Sequence, residues 1–205
     1  SEMCIRDRNN LDLSFIAENG SSIHRLNKIH QNLPDKIIIS RTIDEIRNIY
    51  EENISLDFKN KITHILELER EKQQKILGLP LDKIKLAIKR DHSIPIKFNG
   101  TESEKNEFTK ILKNSGLTIQ TGGRIMNVCD NVNKSKAMSR ALQLIRKQFD
   151  DEIITIGVGD NENDIEMIKQ TDYPCLVKNE NFDSSLINID NLIKSDEPSP
   201  KGWSD

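Results

Sequence analysis

A strand-to-helix transition at residues 153–168 constrains the fold of this chain more than any other stretch. An apolar run from Ile153 to Val158 has the length and composition of a buried strand. The loop after it reads Gly-Asp-Asn-Glu-Asn-Asp, and the apolar side chains that follow at helical spacing favour a helix. In an open α/β sheet, ligands lie just outside the carboxyl ends of the strands. The loop therefore places Asp160 and Asp164 where their oxygens can hold a hard cation.

This loop has two other interpretations. Asp160, Asn163 and Asp164 could form only a polar turn with an Asn or Asp helix cap. A calcium loop of the helix–loop–helix type is the second alternative. It fails because Ile165 stands at the sixth position, which needs glycine, and Thr171 at the twelfth, which needs glutamate. On residue types alone, a cation site and a structural turn both stay open.

The chain shows two patterns of predicted secondary structure. Residues 129–205 alternate helix and strand, as a parallel sheet requires, with one helix predicted over Lys134–Phe149. Residues 38–128 form a separate α+β pattern, with a charged helix predicted over Lys61–Lys75. A strand is predicted over residues 11–17, before this second unit. We therefore expect an α/β protein with a parallel core sheet and a distinct α+β unit.

Smaller signals mark the ends of elements inside the α+β pattern. Thr42 and Thr101 each begin a capping box, because a glutamate follows three residues later. Two strands are predicted on either side of the turn Gly122–Gly123.

Composition gives no reason to expect a nucleic acid or a membrane as partner. The chain is 31% charged and 35% hydrophobic, with a net charge of −3. No apolar run approaches the roughly 18 residues of a membrane-spanning helix. Cys4, Cys129 and Cys175 follow no metal or disulfide spacing, so we expect a reduced, cytoplasmic setting. The oligomeric state is not indicated.

Three basic residues are candidates for binding an anion. Lys134 begins the helix after residue 129, where its ammonium and the first helix amides could neutralise a phosphate; Lys136 competes for this role. Arg90 and Arg124 carry guanidinium groups that match carboxylate or phosphate oxygens in two parallel bonds, and Gly123 lets the backbone approach a ligand. Taken alone, such residues are more often solvated surface residues.

Five sequence pieces together resemble a known family. The loop at residues 159–164 resembles the fourth motif of the haloacid dehalogenase superfamily, and Lys134 stands where that superfamily keeps its third-motif lysine. The more detailed resemblance is to the mannosyl-3-phosphoglycerate phosphatase family and its glucosyl relatives. The pieces occur in the family's order: Ile-Ala-Glu-Asn-Gly at 16–20, Lys-Arg-Asp-His-Ser-Ile-Pro at 89–95, Gly-Gly-Arg-Ile at 122–125, the 159–164 loop, and Pro-Lys-Gly-Trp at 200–203.

The resemblance implies a Rossmann-like core, residues 11–37 and 129–205, with an inserted α+β cap over residues 38–128. It also implies hydrolysis of a phosphorylated sugar-glycerate through an aspartyl-phosphate, with Mg²⁺, in compatible-solute synthesis. The residue roles implied for this sequence are as follows: Asp160 binds magnesium with support from Asn163 and Asp164; Lys134 holds the nucleophile and the phosphoryl group; Arg90, Gly123 and Arg124 bind the glycerate or sugar, with Glu18 and Asn19 near the substrate.

The sequence departs from the family pattern at its nucleophile. No two aspartates stand two apart anywhere in the 205 residues, so the Asp-x-Asp motif is absent. We expect that motif upstream of Leu11 in a parent protein, and residues 1–10 to be non-native. Ile94 replaces a usual acidic residue and Asn127 a usual histidine, which leaves mannosyl and glucosyl substrates both open. A general sugar-phosphate phosphatase and a non-catalytic sugar-phosphate-binding remnant are the alternative functions.

Overall fold

The computed structural model describes residues 12–122 and 125–204, whose strands form three sheets. Two sheets have three strands each, and the third has four in the order β4-β5-β7-β6. The strands are β1 (Phe15–Ala17), β2 (Ser22–His24), β3 (Lys36–Ile38), β4 (Ile62–His64), β5 (Ser93–Phe98), β6 (Leu117–Gly122), β7 (Ile125–Asp130), β8 (Ile156–Gly159), β9 (Tyr173–Lys178) and β10 (Ile193–Pro198).

Seven α-helices connect these strands in the described residues. They are α1 (Ile43–Asn53), α2 (Leu56–Lys59), α3 (Arg70–Leu77), α4 (Leu81–Ala87), α5 (Glu102–Asn114), α6 (Lys134–Ile145) and α7 (Glu162–Ile168). Each of the two predicted capping boxes is present: Thr42 is the N-cap of α1 and Thr101 is the N-cap of α5, with reciprocal bonds to Glu45 and Glu104. None of the described helices has the length and apolar content needed to cross a membrane.

Strands β4–β7 and helices α1–α5 form one unit, which we call the antiparallel unit. Side chains alternate across its sheet, so one face carries Ile94, Ile96, Met126 and Val128 into a core shared with α1 and α5. Tyr50 and Phe108, from these two helices, are fully buried there. The opposite face presents mainly polar side chains, among them Ser93, Asn127 and Gln120. This polar face is turned towards the rest of the molecule.

The remaining six strands form the other two sheets. Strands β8, β9 and β10 are parallel. This confirms the parallel sheet that the alternation of helix and strand predicts for residues 129–205. Strands β1, β2 and β3 are antiparallel and pack against α6 through a second core of Ile23, Leu26, Leu33, Ala137 and Ala141. Helix α7 lies against β8 and beside α6. The carboxyl end of β8 and the amino ends of α6 and α7 therefore lie close together.

Four sequence predictions of local structure are wrong in part. Residues 61–75 are not one helix: Ile62–His64 pairs with β5 as an edge strand and Ile65–Glu67 is a short 3-10 helix before α3. Burial of Ile62 and Ile65 in this arrangement outweighs the helical pattern. The predicted helix over Lys134–Phe149 ends at Ile145, and Phe149 is 40% exposed instead of buried.

Two strand predictions also need correction. The strand predicted at residues 11–17 is only Phe15–Ala17, and β2, which the sequence did not predict, pairs with it. The strand predicted from Ile153 begins at Ile156, where it pairs with Tyr173 of β9. Ile156 is 68% exposed, so this strand is not buried on both faces. The hairpin predicted around Gly122 is confirmed by the pairing of Gly122 with Ile125.

The capping box of α5 provides a test of stability against pH. Glu104 accepts bonds from Lys61 Nζ at 2.7 Å and from the Thr101 amide at 2.7 Å, which lowers the pKa of its carboxyl from 4.5 to about 2. Because the folded state binds the proton less tightly than the unfolded state, this contribution is complete above pH 4.5 and is lost as the pH falls towards 2.

We expect Glu104→Gln to lower the free energy of unfolding at neutral pH. The difference from the parent chain should shrink as the pH falls below the carboxyl's ordinary value, because the parent then loses the same interaction. Urea unfolding of both proteins, followed by circular dichroism across this range, measures the difference. A difference that stays constant with pH would contradict the assignment.

Candidate active site

The loop after β8 is shaped by Gly159. A Cβ at this position would lie 2.4 Å from Asp164 Cβ, a distance that real structures do not show. The glycine thus leaves room for Asp164, in the first turn of α7, to fold back against the end of the strand. Asn161 is the N-cap of α7, and its side chain accepts a bond from the Glu162 amide at 2.8 Å. The loop therefore does contain an asparagine helix cap, but the cap is Asn161 and not one of the three residues that the structural alternative named.

Asp164 also has a role that a helix cap does not explain. Its residue is only 7% exposed, and its Oδ1 accepts a bond from Lys134 Nζ at 2.7 Å. Its Oδ2 lies 3.4 Å from the backbone amide of Asp160. A carboxylate this far from water needs such partners, since an unpaired buried charge is strongly unfavourable. The ion pair fixes the start of α6 against the loop after β8.

Lys134 is held at the amino end of α6 and still reaches solvent. Asn133 is the N-cap of this helix: its Oδ1 accepts from the Lys136 amide at 2.8 Å, and its Nδ2 donates to Glu166 Oε2 at 2.6 Å. The Lys134 side chain is 28% exposed, whereas Lys136 is an exposed residue without a carboxylate partner in the described structure. An ammonium beside the free amides of a helix start is suited to binding an anion.

Asp160 has a carboxylate that no described residue bonds. Its backbone oxygen accepts from Asn179 Nδ2 at 3.0 Å, which holds the loop in place while the side chain stays available. In residues 12–122 and 125–204, no three His, Cys, Asp or Glu side chains gather into a metal-holding group. Magnesium is commonly held by one or two carboxylates with waters and substrate phosphate. The carboxylate of Asp160, with that of Asp164 beside it, fits that ion.

A cleft of about 660 Å³ opens beside Lys134. On one side it is lined by Gln120 and Thr121, from β6 of the antiparallel unit. On the other side it is lined by residues at the starts of α6 and α7. Of the predicted site residues, Asn19, Lys134 and Asn163 line this cleft, and Asp160, Asp164, Glu18 and Arg90 do not. Phe182 and Asp183, from the loop after β9, also line it.

The predicted substrate residues of the antiparallel unit lie apart from this cleft or outside the described structure. Arg90 is half-buried just before β5, and its Nε atom is buried without a partner among the described residues. Gly123 and Arg124 lie outside the described residues, so the structure places neither of them. No described contact joins Arg90 to Lys134.

Several residues of the site were missed by the sequence analysis. Gln120 bonds Asn19 and the Val132 carbonyl, Asn133 bonds Glu166, and Asn179 bonds the Asp160 carbonyl. The position of Asn133 just before a predicted helix was a usable N-cap signal. Gln120 and Asn179 carry no such signal, because their roles depend on contacts across the fold.

Cys129 does not supply a nucleophile in place of the missing aspartate. It is 1% exposed in β7, and burial, with the neighbouring Asp130 carboxylate, raises the pKa of its thiol to about 12. The thiolate, which is the reactive form, is therefore scarce at neutral pH.

A match over most of the chain decides the family. Residues 4–191 match the family described as haloacid dehalogenase-like hydrolase. The chain belongs to this family. Two solved structures share its fold: Thermoplasma acidophilum 0175 has a TM-score of 0.57 at 14% identity, over 96% of this chain and 72% of that one. A haloacid dehalogenase-like hydrolase from Bacteroides thetaiotaomicron has a TM-score of 0.57 at 13% identity, over 89% and 72%.

Curated relatives of this haloacid dehalogenase-like chain are named as phosphatases. A glucosyl-3-phosphoglycerate/mannosyl-3-phosphoglycerate phosphatase from Persephonella marina is 28% identical over 93% of this chain and 73% of that protein. A mannosyl-3-phosphoglycerate phosphatase from Pyrococcus horikoshii is 26% identical over 90% and 77%. The predicted fold class, an α/β core with an inserted α+β cap, is confirmed, and we propose below that the antiparallel unit is this cap.

Gly20 allows a test of how the site is packed. It has a φ of +110°, and a Cβ there would lie 2.2 Å from the Asn133 carbonyl oxygen, just before Lys134. Gly116 also has a positive φ, +77°, but a Cβ there would meet only the Arg41 side chain at 3.7 Å. Both glycines therefore favour a conformation that alanine resists, and only Gly20 touches the backbone of the site.

We expect Gly116→Ala to lower the free energy of unfolding by about 1 kcal/mol, the cost of a left-handed alanine. Gly20→Ala should lower it by about 2 kcal/mol more, because the start of α6 must also move. Urea unfolding of the two variants measures this difference. Equal losses would show that the turn at Gly20 does not pack against α6 as described.

Proposed function

We propose that this chain carries the metal, lysine and cap residues of a magnesium-dependent phosphatase for mannosyl- or glucosyl-3-phosphoglycerate. By resemblance to its family and to relatives named as phosphatases, the chain is a phosphoric monoester hydrolase. The observation that carries the proposal is the ion pair of Lys134 with Asp164 at the carboxyl end of β8, beside the unbonded carboxylate of Asp160. The products would be the glycosylglycerate and phosphate.

Lys134 supplies the positive charge that a phosphoryl group needs. Its ammonium lies at the amino end of α6, so its charge and the first helix amides act on the same phosphoryl oxygens. Asp164 holds the ammonium in place before substrate arrives, which avoids reorganisation during the reaction. This arrangement positions a phosphate and neutralises its charge.

Asp160 is the proposed ligand for Mg²⁺, and Asn163 and Asp164 support it. Because one oxygen of Asp164 is bonded to Lys134, this carboxylate orients the lysine and the Asp160 backbone more than it offers a free ligand atom. A magnesium ion held there would add to the neutralisation of the phosphoryl charge.

The cap is proposed to bind the rest of the substrate. We propose that it spans residues 38–128, between core segments 11–37 and 129–205. Arg90, Gly123 and Arg124 would hold the glycerate carboxylate or the sugar, since guanidinium groups pair with carboxylates through two bonds. The amide and hydroxyl groups of Asn19, Gln120 and Thr121 line the cleft together with Lys134, and these neutral polar groups suit the hydroxyl groups of a glycosyl unit.

The nucleophile that the resemblance implies is not among these residues. No Asp-x-Asp pair stands in the sequence. We therefore expect the purified 205-residue chain to release no phosphate from mannosyl-3-phosphoglycerate, even with Mg²⁺. A malachite-green assay measures the release. Robust magnesium-dependent turnover would show that a different group performs the nucleophilic step.

Binding tests the proposed function without requiring turnover. We expect the chain to bind inorganic phosphate, and to bind glucosyl- or mannosyl-3-phosphoglycerate more tightly than glucose 6-phosphate, by isothermal titration calorimetry with Mg²⁺. Lys134→Met should weaken phosphate binding about 10- to 100-fold, the range for one lost charge-assisted bond of about 1.5–3 kcal/mol. Lys136→Met, which removes the neighbouring exposed amine, is the matched control and should have little effect.

The outcomes separate the alternatives. Equal affinity for all sugar phosphates favours a general sugar-phosphate phosphatase, and magnesium-independent binding that survives Lys134→Met favours a binding protein with its site in the cap.

Asp160→Asn should remove the dependence of phosphate affinity on Mg²⁺, whereas Asp190→Asn, at an exposed loop position, should leave it unchanged. Loss of Mg²⁺ dependence in both variants would argue against Asp160 as the ligand.

A further inference from the structure

The turn formed by Glu18, Asn19 and Gly20 contacts three separate parts of the proposed site. It follows β1 directly and forms one tight turn, in which all three residues have a positive φ. Glu18 bonds the entrance to β5, Asn19 bonds β6, and Gly20 packs against the start of α6. Sequence resemblance suggested that Glu18 and Asn19 contact the substrate, and these bonds indicate another role for Glu18.

Glu18 uses both carboxylate oxygens on the cap. Its Oε1 accepts from the Asp91 amide at 2.8 Å. Its Oε2 accepts from the Ser93 hydroxyl at 2.5 Å and lies 3.3 Å from the His92 amide. These three donors belong to residues 91–93, which follow Arg90 directly. The carboxylate therefore holds the backbone segment that carries Arg90. Glu18 does not line the cleft, and its oxygens are already engaged by protein groups.

Asn19 and Gly20 connect the same turn to the other two elements. Asn19 Nδ2 donates to Gln120 Oε1 at 2.8 Å, and Gln120 in turn donates to the Val132 carbonyl at 2.7 Å, two residues before Lys134. Gly20 brings the turn against the Asn133 carbonyl, in a space where no Cβ fits. The turn therefore relates β5 and β6 of the cap to the start of α6.

The backbone of the turn is held in an unfavourable conformation. Glu18 and Asn19 have φ values of 45° and 55°, in the left-handed region that residues with a Cβ rarely adopt. Such conformations persist only where surrounding contacts fix them, and they are common at functional sites. The bonds of Glu18 and Asn19 to the cap hold this turn together with local bonds from Ser21 to the Ala17 and Glu18 carbonyls.

A second connection between cap and core lies at the two linkers. The backbone amide of Arg41, before α1, donates to Asp130 Oδ2 at 2.6 Å, and its Nε–H donates to Asp130 Oδ1 at 2.8 Å. The segment that enters the cap at Arg41 is thus bonded to the segment that leaves it at Asp130. This pair does not involve the Glu18–Gly20 turn. The Glu18 bonds are the added constraint that sets where the cap segment with Arg90 lies relative to Lys134.

We propose that Glu18 is a positioning residue, which holds the Arg90 segment of the cap at a fixed place relative to the phosphate group at Lys134. The proposal rests on the proposed function, because it assumes that one ligand reaches both residues. Such a ligand carries a phosphate at one end and a carboxylate at the other. A misplacement of about 1 Å between two binding groups weakens a ligand that spans them, but not one that contacts a single group.

The test compares Glu18→Gln with Glu45→Gln in the full 205-residue chain. Glu45 is the matched control, because its carboxylate also accepts from a backbone amide and a hydroxyl, both of Thr42, but stays within the cap. Two ligands are titrated with Mg²⁺ present: 3-phosphoglycerate, which carries phosphate and carboxylate, and inorganic phosphate. Amide hydrogen exchange at Asp91 and His92 is measured on the same proteins without ligand.

We expect Glu18→Gln to weaken 3-phosphoglycerate binding by about tenfold and to change phosphate binding less than twofold. Glu18→Gln should also speed exchange at Asp91 and His92, and Glu45→Gln should change neither binding nor exchange there. A parallel loss of both ligands, or no loss of either, would overturn the positioning role.

The two arms distinguish this proposal from the proposed function. If the parent chain binds neither ligand, the proposed function fails, and the exchange measurement then decides on the Glu18 clamp by itself. Unchanged exchange at Asp91 and His92 in Glu18→Gln would overturn the clamp whatever the ligands do. Faster exchange with selective loss of 3-phosphoglycerate supports both.

Discussion

The site depends on one ion pair, between Lys134 at the start of α6 and Asp164 in the first turn of α7. Asp164 is buried and so requires a positive partner, and Lys134 is the residue that reaches it. The pair brings the amino ends of two helices to the carboxyl end of one strand. Phosphoryl transfer relies on positioning and on charge neutralisation, and this junction can provide both. Removing Lys134 would leave the buried Asp164 carboxylate without its positive partner.

Connections between cap and core are the second constraint. The Arg41–Asp130 pair joins the two linkers, while the Glu18–Gly20 turn contacts the polar face of the cap sheet. Alternation along β5, β6 and β7 makes this possible, because it sends apolar side chains to α1 and α5 and polar ones towards the core. The same alternation therefore builds the cap's interior and the polar surface that faces the Glu18–Gly20 turn.

Local rules predicted much of this fold. Both capping boxes, the hairpin at Gly122, the parallel pairing of β8 with β9 and the loop after β8 follow from short patterns in the sequence. The errors occur where tertiary contacts override local preference. Residues 62–64 become an edge strand because β5 offers them a pairing partner, and Phe149 is exposed because α6 ends one turn earlier. Site contacts made by Gln120 and Asn179 have no local pattern at all.

The sequence by itself determined the chemistry of the site, since the aspartates of the 159–164 loop, a lysine at a helix start and the absence of an Asp-x-Asp pair are facts of residue type and spacing. Tertiary structure alone decided which of these groups meet. Lys134 and Asp164 are 30 residues apart, and Glu18 lies 73 residues from Asp91, which it binds. The physical reason is that each of these bonds joins elements from different sheets or helices. Such contacts depend on how whole faces pack, and no short stretch of sequence encodes that.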